Sequence, residues 1–212
     1  MAPKIEPVTL TGRHVRLVPL AQAHADGLID AVRDGALWRL WFTSVPDPDG
    51  MQAEIDRRLA LQAAGSMLPF TVLEPASGKI AGMTTYMNID AVHQRVEIGS
   101  TWYSERVQRT PLNTEAKLLL LAHAFDDLEC IAVEFRTHFF NQQSRQAIER
   151  LGAKLDGIAR NHQRAPNGTL RDTCIYSIIA CEWPTVRTHL SWQLERPRGP
   201  GSVDPDRLRP DS

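Results

Sequence analysis

What this chain has little of narrows the field first. Its 212 residues include only three cysteines, Cys130, Cys174 and Cys181. They are unequally spaced and form no C-x-x-C pair, so neither a disulfide framework nor a zinc cluster is spelled out, and no metal is expected. An odd set of thiols without ligand spacing fits a reducing cytoplasm, where free cysteines ordinarily end buried and inert. An excess of one charge is also missing: 24 Lys and Arg stand against 25 Asp and Glu. That balance gives no reason to expect a nucleic acid or another polyanion as partner. No apolar run reaches membrane-spanning length, and no charged-then-apolar leader opens the chain. Internal repeats and a second-domain linker are absent too. The length suits one good core better than two.

The patterning that is present predicts alternating classes of element. Residues 8–20 alternate apolar and polar around Gly12 and predict a strand or hairpin. Helices are predicted near residues 23–33 and 52–64; in the second, Ile55, Leu59 and Ala63 keep a helical spacing. Between them lie Trp38, Trp41, Phe42 and a Pro-Asp-Pro-Asp-Gly breaker. Strands follow over residues 69–74 and 79–88, joined by a Ser77-Gly78 turn, and a third over 95–103. There the alternation places Val96, Ile98 and Trp102 on one face and Glu97 on the other, with Gly99 as the mark of a bulge. Residues 116–125 are apolar almost all round and predict a helix packed on both sides. A strand over 131–137 and a short helix over 143–151, stopped by Gly152, come next. Two strands, near 154–164 and 170–181, meet at Asn167-Gly168, a hairpin signal. A last helix runs from Trp183-Pro184 to about Glu195. The order predicts one α+β domain over residues 1–195. Residues 196–212, rich in proline and glycine, are expected to be a disordered tail.

The stretch from Arg106 to Gly152 carries the chemistry. Two polar helix starts, Asn113-Thr114-Glu115 and Asn141-Gln142-Gln143-Ser144, flank the β-branched strand. A helix start offers unpaired N–H groups and the positive end of a dipole, a place for a pyrophosphate. A second start nearby can present a hydroxyl to a reacting thioester. Glu97, beside the bulge, is a candidate base for an incoming amine; its alternative is a solvent-facing strand residue. Trp38, Trp41 and Phe42 suit either an acceptor pocket or the core. His162 and Arg164 belong to a pocket mouth or to solvated surface. Phe139 and Phe140 either pack beneath a ligand or staple the following helix. Asp172 is expected to pair with a local arginine or a backbone amide.

These residues resemble the GNAT acetyltransferase superfamily, within it the branch of ribosomal-protein N-terminal acetyltransferases. The resemblance spans roughly residues 8–183. It rests on Glu97-Ile98-Gly99, on Asn113-Thr114-Glu115-Ala116, on Asn141-x-x-Ser144 before Glu149-Arg150-Leu151-Gly152-Ala153, and on Asn167-Gly168 before Arg171-Asp172-Thr173 and Tyr176-Ser177-Ile178. It implies a mixed, mostly antiparallel twisted sheet with splayed central strands, flanked by helices. It also implies acetyl-CoA as co-substrate, and as acceptor a protein N-terminus or a small-molecule amine, attacked directly. A monomer or a homodimer would serve equally.

Where the family's phosphate turn runs Gln/Arg-x-x-Gly-x-Gly/Ala, this chain has Gln108, Pro111 and Asn113. Glycine allows close backbone approach and Pro111 removes an N–H. Donors remain at Arg109, Thr110, Leu112, Asn113 and Thr114, and Arg106 and Arg109 can add charge. By the resemblance, Asn141 would hydrogen-bond the pantetheine arm or the substrate, and Ser144 would stand near the sulfur. A thiol with a pKa of ~8.5 leaves readily, so Ser144 is expected to assist rather than to be indispensable. Two other readings stay open: a non-catalytic acyl-CoA-binding or regulatory protein on the same fold, and the same chemistry with an antibiotic or polyamine as acceptor.

Overall fold

The computed structural model describes residues 5–165 and 167–196. The segment expected to be a disordered tail lies, from residue 197 on, outside the described residues. In chain order the elements are β1 (Leu10–Thr11), β2 (Arg16–Pro19), α1 (Ala25–Arg33), α2 (Met51–Ala63), β3 (Met67–Leu73), β4 (Ile80–Asp90), β5 (Arg95–Tyr103), α3 (Pro111–Ala122), β6 (Ala132–His138), α4 (Gln142–Glu149), β7 (Lys154–Arg164), β8 (Leu170–Ile179) and α5 (Trp183–Glu195). The strands form one sheet in the order β1-β2-β3-β4-β5-β6-β8-β7. Neighbours are antiparallel except β5 and β6, which run parallel.

Alternation along each strand sends side chains to both faces, and each face is covered by helices. On one face α3, α4 and α5 bring Leu120, Ile148 and Leu190 onto Tyr86, Val96, Ile98 and Val133. On the other, α1 and α2 bring Leu28, Val32, Met51 and Ile55 onto Met83 and Trp102. Trp102 therefore does not share a face with Val96 and Ile98, as strict alternation had placed it. The cause is a bulge. Met83 faces Trp102 and Thr85 faces Gly99, so two residues, Ser100 and Thr101, stand opposite Thr84 alone. The residue in the left-handed region is Ser100, at φ 48°, not Gly99. One extra residue flips the parity of all that follows.

Helix α3 also begins earlier than its sequence suggested. Its N-cap is Thr110, whose Oγ1 accepts from Leu112 N at 3.3 Å, and Pro111 occupies the first helical position. Proline is pre-organised there because that N–H has no intrahelical partner to lose. Asn113 thus lies inside the first turn rather than capping it. Two other turn residues take the conformations expected of them: Gly152 closes α4 at φ 97° and Gly168 turns the β7–β8 hairpin at φ 83°. Of the three thiols, Cys130 and Cys174 are buried, while Cys181, past the end of β8, is exposed.

The N-terminal hairpin is held by one carboxylate. Glu115, buried on α3, accepts backbone N–H bonds from Arg13 at 2.9 Å, His14 at 2.5 Å and Val15 at 2.9 Å. Gly12 permits this contact: a Cβ there would lie 2.4 Å from Glu115 Cδ. Three donors converging on one anion leave little to replace it when it is removed. Glu115→Ala should lower the unfolding free energy by about 2–3 kcal/mol, since the donor of the buried Val15 would lose its partner. Urea unfolding checks this; an unchanged midpoint would mean that water substitutes for the carboxylate.

Candidate active site

Strands β5 and β6 pair only at Arg95↔Ala132, Val96↔Val133 and Glu97↔Glu134. Beyond Glu97, β5 stays with β4 as far as Gly82↔Tyr103, and β6 stays with β8 as far as His138↔Thr173. Each strand keeps its outer neighbour and parts from the other. Among the described residues, no strand pairs with the facing edges over residues 98–103 and 135–138. A parallel pair sends both C-terminal ends the same way. Hence α3, which follows β5, and α4, which follows β6, both begin at the open end of this cleft. Two positive helix ends at one opening suit an anionic, extended ligand.

At the start of α3, Thr110 Oγ1 donates to Val107 O at 2.7 Å as well as capping the helix. The left-handed residue of the turn is Arg109, at φ 60°, and its side chain is exposed. Arg106 is engaged elsewhere: its guanidinium pairs with Glu74 and donates to Ile80 O at 2.8 Å. Its backbone N–H is taken by Asp34 at 3.0 Å. Gln108 donates to Tyr103 O at 3.3 Å. Thr114 is buried, and Asn113 Oδ1 is buried without a hydrogen-bond partner among the described residues. Of the two arginines proposed for phosphate, Arg109 alone is displayed at the surface of this turn without those ties.

At the start of α4, Asn141 is the N-cap, its Oδ1 accepting from Ser144 N at 3.0 Å. That leaves the amide NH₂ as the donor Asn141 can offer a ligand. Ser144 lies half-buried in the first turn. Phe139 packs against the main core and lies under the Arg145 guanidinium at 5.0 Å, while Phe140 is exposed.

Glu97 stands where the strands part. It is 5% exposed and accepts from Asn88 Nδ2 at 2.7 Å, and it is not the solvent-facing residue of the alternative reading. Its Oε1 would be 2.9 Å from a Cβ on Gly99, so the glycine makes room for the carboxylate. Arg136 Nε stands 3.4 Å from Glu97 Oε2, and its NH2 reaches Glu134 at 2.9 Å. Burial raises the Glu97 pKa; the Asn88 hydrogen bond and the Arg136 charge oppose that rise. The carboxyl therefore takes up a proton more readily than an exposed glutamate.

The same face continues to His138, directly opposite Thr173. His138 is 4% exposed. Its Nδ1 accepts from Phe140 N at 3.1 Å, which puts the neutral ring's proton on Nε2, an atom buried without a partner among the described residues. Trp41, 51% exposed, lies edge-on to this imidazole at 5.1 Å, with Phe42 and Phe140 beside it. Trp38, by contrast, packs into the second core. His162 Nδ1 lies 3.0 Å from Thr173 Oγ1. Asp172 accepts from Asn161 N at 2.7 Å and stands 3.9 Å from Arg160, the local pairing expected of it.

Four residues of this neighbourhood were missed by sequence reasoning: Asn88, Arg136, Arg58 and Lys117. For the last two a signal existed. Arg58 falls at the i+7 position from Met51, on the stripe that α2 buries with Ile55. Lys117 is a charge inside a helix apolar almost all round. It is 6% exposed and donates to Thr101 Oγ1 at 2.9 Å and Thr84 Oγ1 at 3.3 Å. Burial brings its pKa down to about 7.

Comparison with known proteins places this geometry among relatives. A family model described as an acetyltransferase (GNAT) domain matches residues 14–154. YdaF of Bacillus subtilis (strain 168), which carries the provisional name ribosomal N-acetyltransferase, is 32% identical over 106 residues. That match spans 50% of this chain and 57% of YdaF, so it falls short of two thirds of the relative's length. A GCN5-related N-acetyltransferase from Brucella melitensis superposes with a TM-score of 0.81 at 32% identity, covering 95% of this chain and 90% of that one. RimJ of Mycobacterium smegmatis, solved with CoA-disulfide, shares the fold with a TM-score of 0.74 at 20% identity, covering 88% and 95%.

Lys117 makes stability depend on pH in a definite direction. Folded, it gives up its proton near pH 7; unfolded, near its ordinary 10.5. Between those values the unfolded chain binds more protons, so stability contributed through this residue rises with pH across the window. Lys117→Met should flatten that rise, its advantage over wild type being largest at the low end. Urea midpoints at several pH values read the difference, and parallel curves for the two proteins would refute it.

Proposed function

From the premise that this chain belongs to the GNAT acetyltransferase family, we propose that it transfers an acetyl group from acetyl-CoA to a primary amine by direct attack. The observation that supports this best is the parting of β5 and β6 at Glu97, with two helix starts at the mouth. The pantetheine arm would lie in the cleft as an added strand, using the free backbone edges. Arg109 and the first-turn N–H groups of α3 would hold the pyrophosphate, with Thr110 and Thr114 shaping the turn and Gln108 and Arg106 holding it in place. Pro111 and the Thr110–Leu112 bond leave fewer donors than a glycine-rich turn would.

Glu97 would take the proton as the amine nitrogen bonds to the acetyl carbon. Backbone N–H groups at the bulge would carry the developing oxyanion. The carbon–sulfur bond then breaks, and Ser144 would supply a hydrogen bond, or a proton, to the departing sulfur. Asn141 would hold the arm. For the acceptor we favour a protein N-terminal α-amine, in keeping with the names of the relatives. Such an amine, pKa ~7.8, is roughly 10–15% neutral at pH 7, against about 0.04% for lysine at ~10.4. A moderately basic carboxylate then suffices.

The test is thiol release from acetyl-CoA with a panel of short peptides bearing free N-termini, lysine-only peptides and polyamines. Turnover on free N-termini is expected. Turnover on polyamines alone would move the acceptor to small molecules. Binding of acetyl-CoA with no turnover on any amine would favour a non-catalytic acyl-CoA-binding role.

Two sets of variants assign the roles. Glu97→Gln should lower the rate by about 10²–10⁴-fold with acetyl-CoA affinity nearly intact. In wild type, the acid limb of the rate profile should lie above the ordinary glutamate range, because burial raises this pKa. Wild-type turnover of the folded variant across pH 6–9 would remove Glu97 from the mechanism. Ser144→Ala should cost no more than about tenfold in kcat/KM, ~1.4 kcal/mol of barrier. Asn141→Ala should cost more, since it removes a helix cap worth ~1 kcal/mol along with a ligand contact. The reverse ranking would make Ser144 the essential acid.

A further inference from the structure

The bulge of β5 is gripped from both faces of the sheet by two buried basic side chains. Adjacent residues of a strand point to opposite faces. On β4, Thr85 faces α2 and Thr84 faces α3; on β5, Gly99 stands opposite Thr85, and the bulge residues Ser100 and Thr101 stand opposite Thr84. From the α2 face, the Arg58 guanidinium, 2% exposed, donates from NH1 to Thr85 Oγ1 at 2.6 Å. From NH1 and NH2 it also reaches the Ser100 carbonyl, both at 3.3 Å. Its charge is balanced on its own helix by Glu54 at 2.7 Å. From the α3 face, Lys117 donates to Thr101 and Thr84, whose hydroxyls lie 2.8 Å from each other.

Burying two cations is costly, and the partners of Lys117 are neutral. A methionine would fill the same volume without that cost. What the two residues hold is one spot: the left-handed Ser100 and its neighbours, at φ 48° in a non-glycine residue. A residue in that region stays there only where its surroundings over-determine it. The bulge lies in the stretch of β5 that has left β6, beyond the last pair at Glu97 and one residue past the Glu97–Gly99 contact.

We infer that Arg58 and Lys117 are positioning residues for acetyl transfer, clamping the β5 bulge from opposite faces so that its backbone N–H groups keep their aim into the cleft. The inference rests on the acetyltransferase reading for its use in catalysis, but the clamp itself is a property of the fold. Neither side chain need touch substrate. A misplacement of these donors by about 1 Å is enough to cost on the order of a hundredfold in rate.

The experiment compares wild type with Arg58→Met and Lys117→Met. Hydrogen exchange of the segment over residues 97–103, read by mass spectrometry without ligand, tests the clamp alone. Exchange should quicken about tenfold or more in each variant, since opening of this segment would no longer be opposed. Kinetics then test its use. Each variant should lose about 10- to 100-fold in kcat while the calorimetric acetyl-CoA affinity and the acceptor KM stay within about threefold. For Lys117→Met this should occur with no loss of thermal stability, a combination that general unfolding cannot produce.

Unchanged exchange in both variants would overturn the clamp, whatever the enzyme turns over. Faster exchange with unchanged kcat would overturn its role in transfer. A kcat loss matched by an equal loss of acetyl-CoA affinity would do the same, because it would report binding rather than alignment. If wild type acetylated no amine, the functional reading would fall, and the exchange data would still decide whether the clamp exists. Should Arg58→Met not fold, Lys117→Met and Thr101→Val carry the test: acting through Thr101, Lys117 should add little to the kcat loss of Thr101→Val in the double variant.

Discussion

Three residue pairs between two parallel strands decide most of this structure. Because β5 and β6 hydrogen-bond only from Arg95 to Glu97 and from Ala132 to Glu134, the sheet stays continuous at one end and opens at the other. Closing the pairing further would satisfy more backbone groups and remove the cleft. The chain prevents closure with a bulge in β5, which turns the strand edge, and with the helices that leave the two strands at the open end. Everything assigned to ligand binding depends on that limited pairing: the exposed edges, the start of α3 and the start of α4.

Around this cleft, charged groups sit where charge is expensive. Glu115 faces three backbone N–H groups instead of a cation. Lys117 faces threonine hydroxyls, and Arg58 faces a threonine hydroxyl, a carbonyl and the carboxylate of Glu54. Glu115 and Lys117 answer dipoles whose positions only the finished fold supplies. Removing one costs stability in the case of Glu115, whereas removing Lys117 relieves a desolvation penalty. Glu97 belongs to the same set, its burial raising the pKa that its neighbours Asn88 and Arg136 pull down.

Much of the fold was legible as patterning. The alternation over β4, β5 and β6, the two helices before β3, Gly152 and the Asn167-Gly168 hairpin all sit where local chemistry requires them. The misreadings have local causes as well. Trp102 changed face because a strand's parity is a count, and a single extra residue upsets it. The start of α3 moved to Thr110 and Pro111 because Asn113-Thr114-Glu115 and Thr110-Pro111 are both good first turns, and only the preceding turn, ending at the left-handed Arg109, selects between them. The charge of Arg106 was visible in the sequence; its partners, Glu74 and the Ile80 carbonyl, were not.

By itself, the sequence determined the elements, their order, the family and the candidates Glu97, Asn141 and Ser144. Those follow from periodicity and from short motifs, both of which act over a few residues. Only the tertiary structure decided which residues share a face of the sheet, that Glu97 is buried with Asn88 and Arg136, and that Arg58 and Lys117 meet at one bulge. Those facts join β4, β5, β6, α2 and α3, and some of their contacts span long stretches of chain, as Arg58 to Ser100 does. They hold because hydrogen bonds and desolvation depend on distance in space, which no spacing along the chain records.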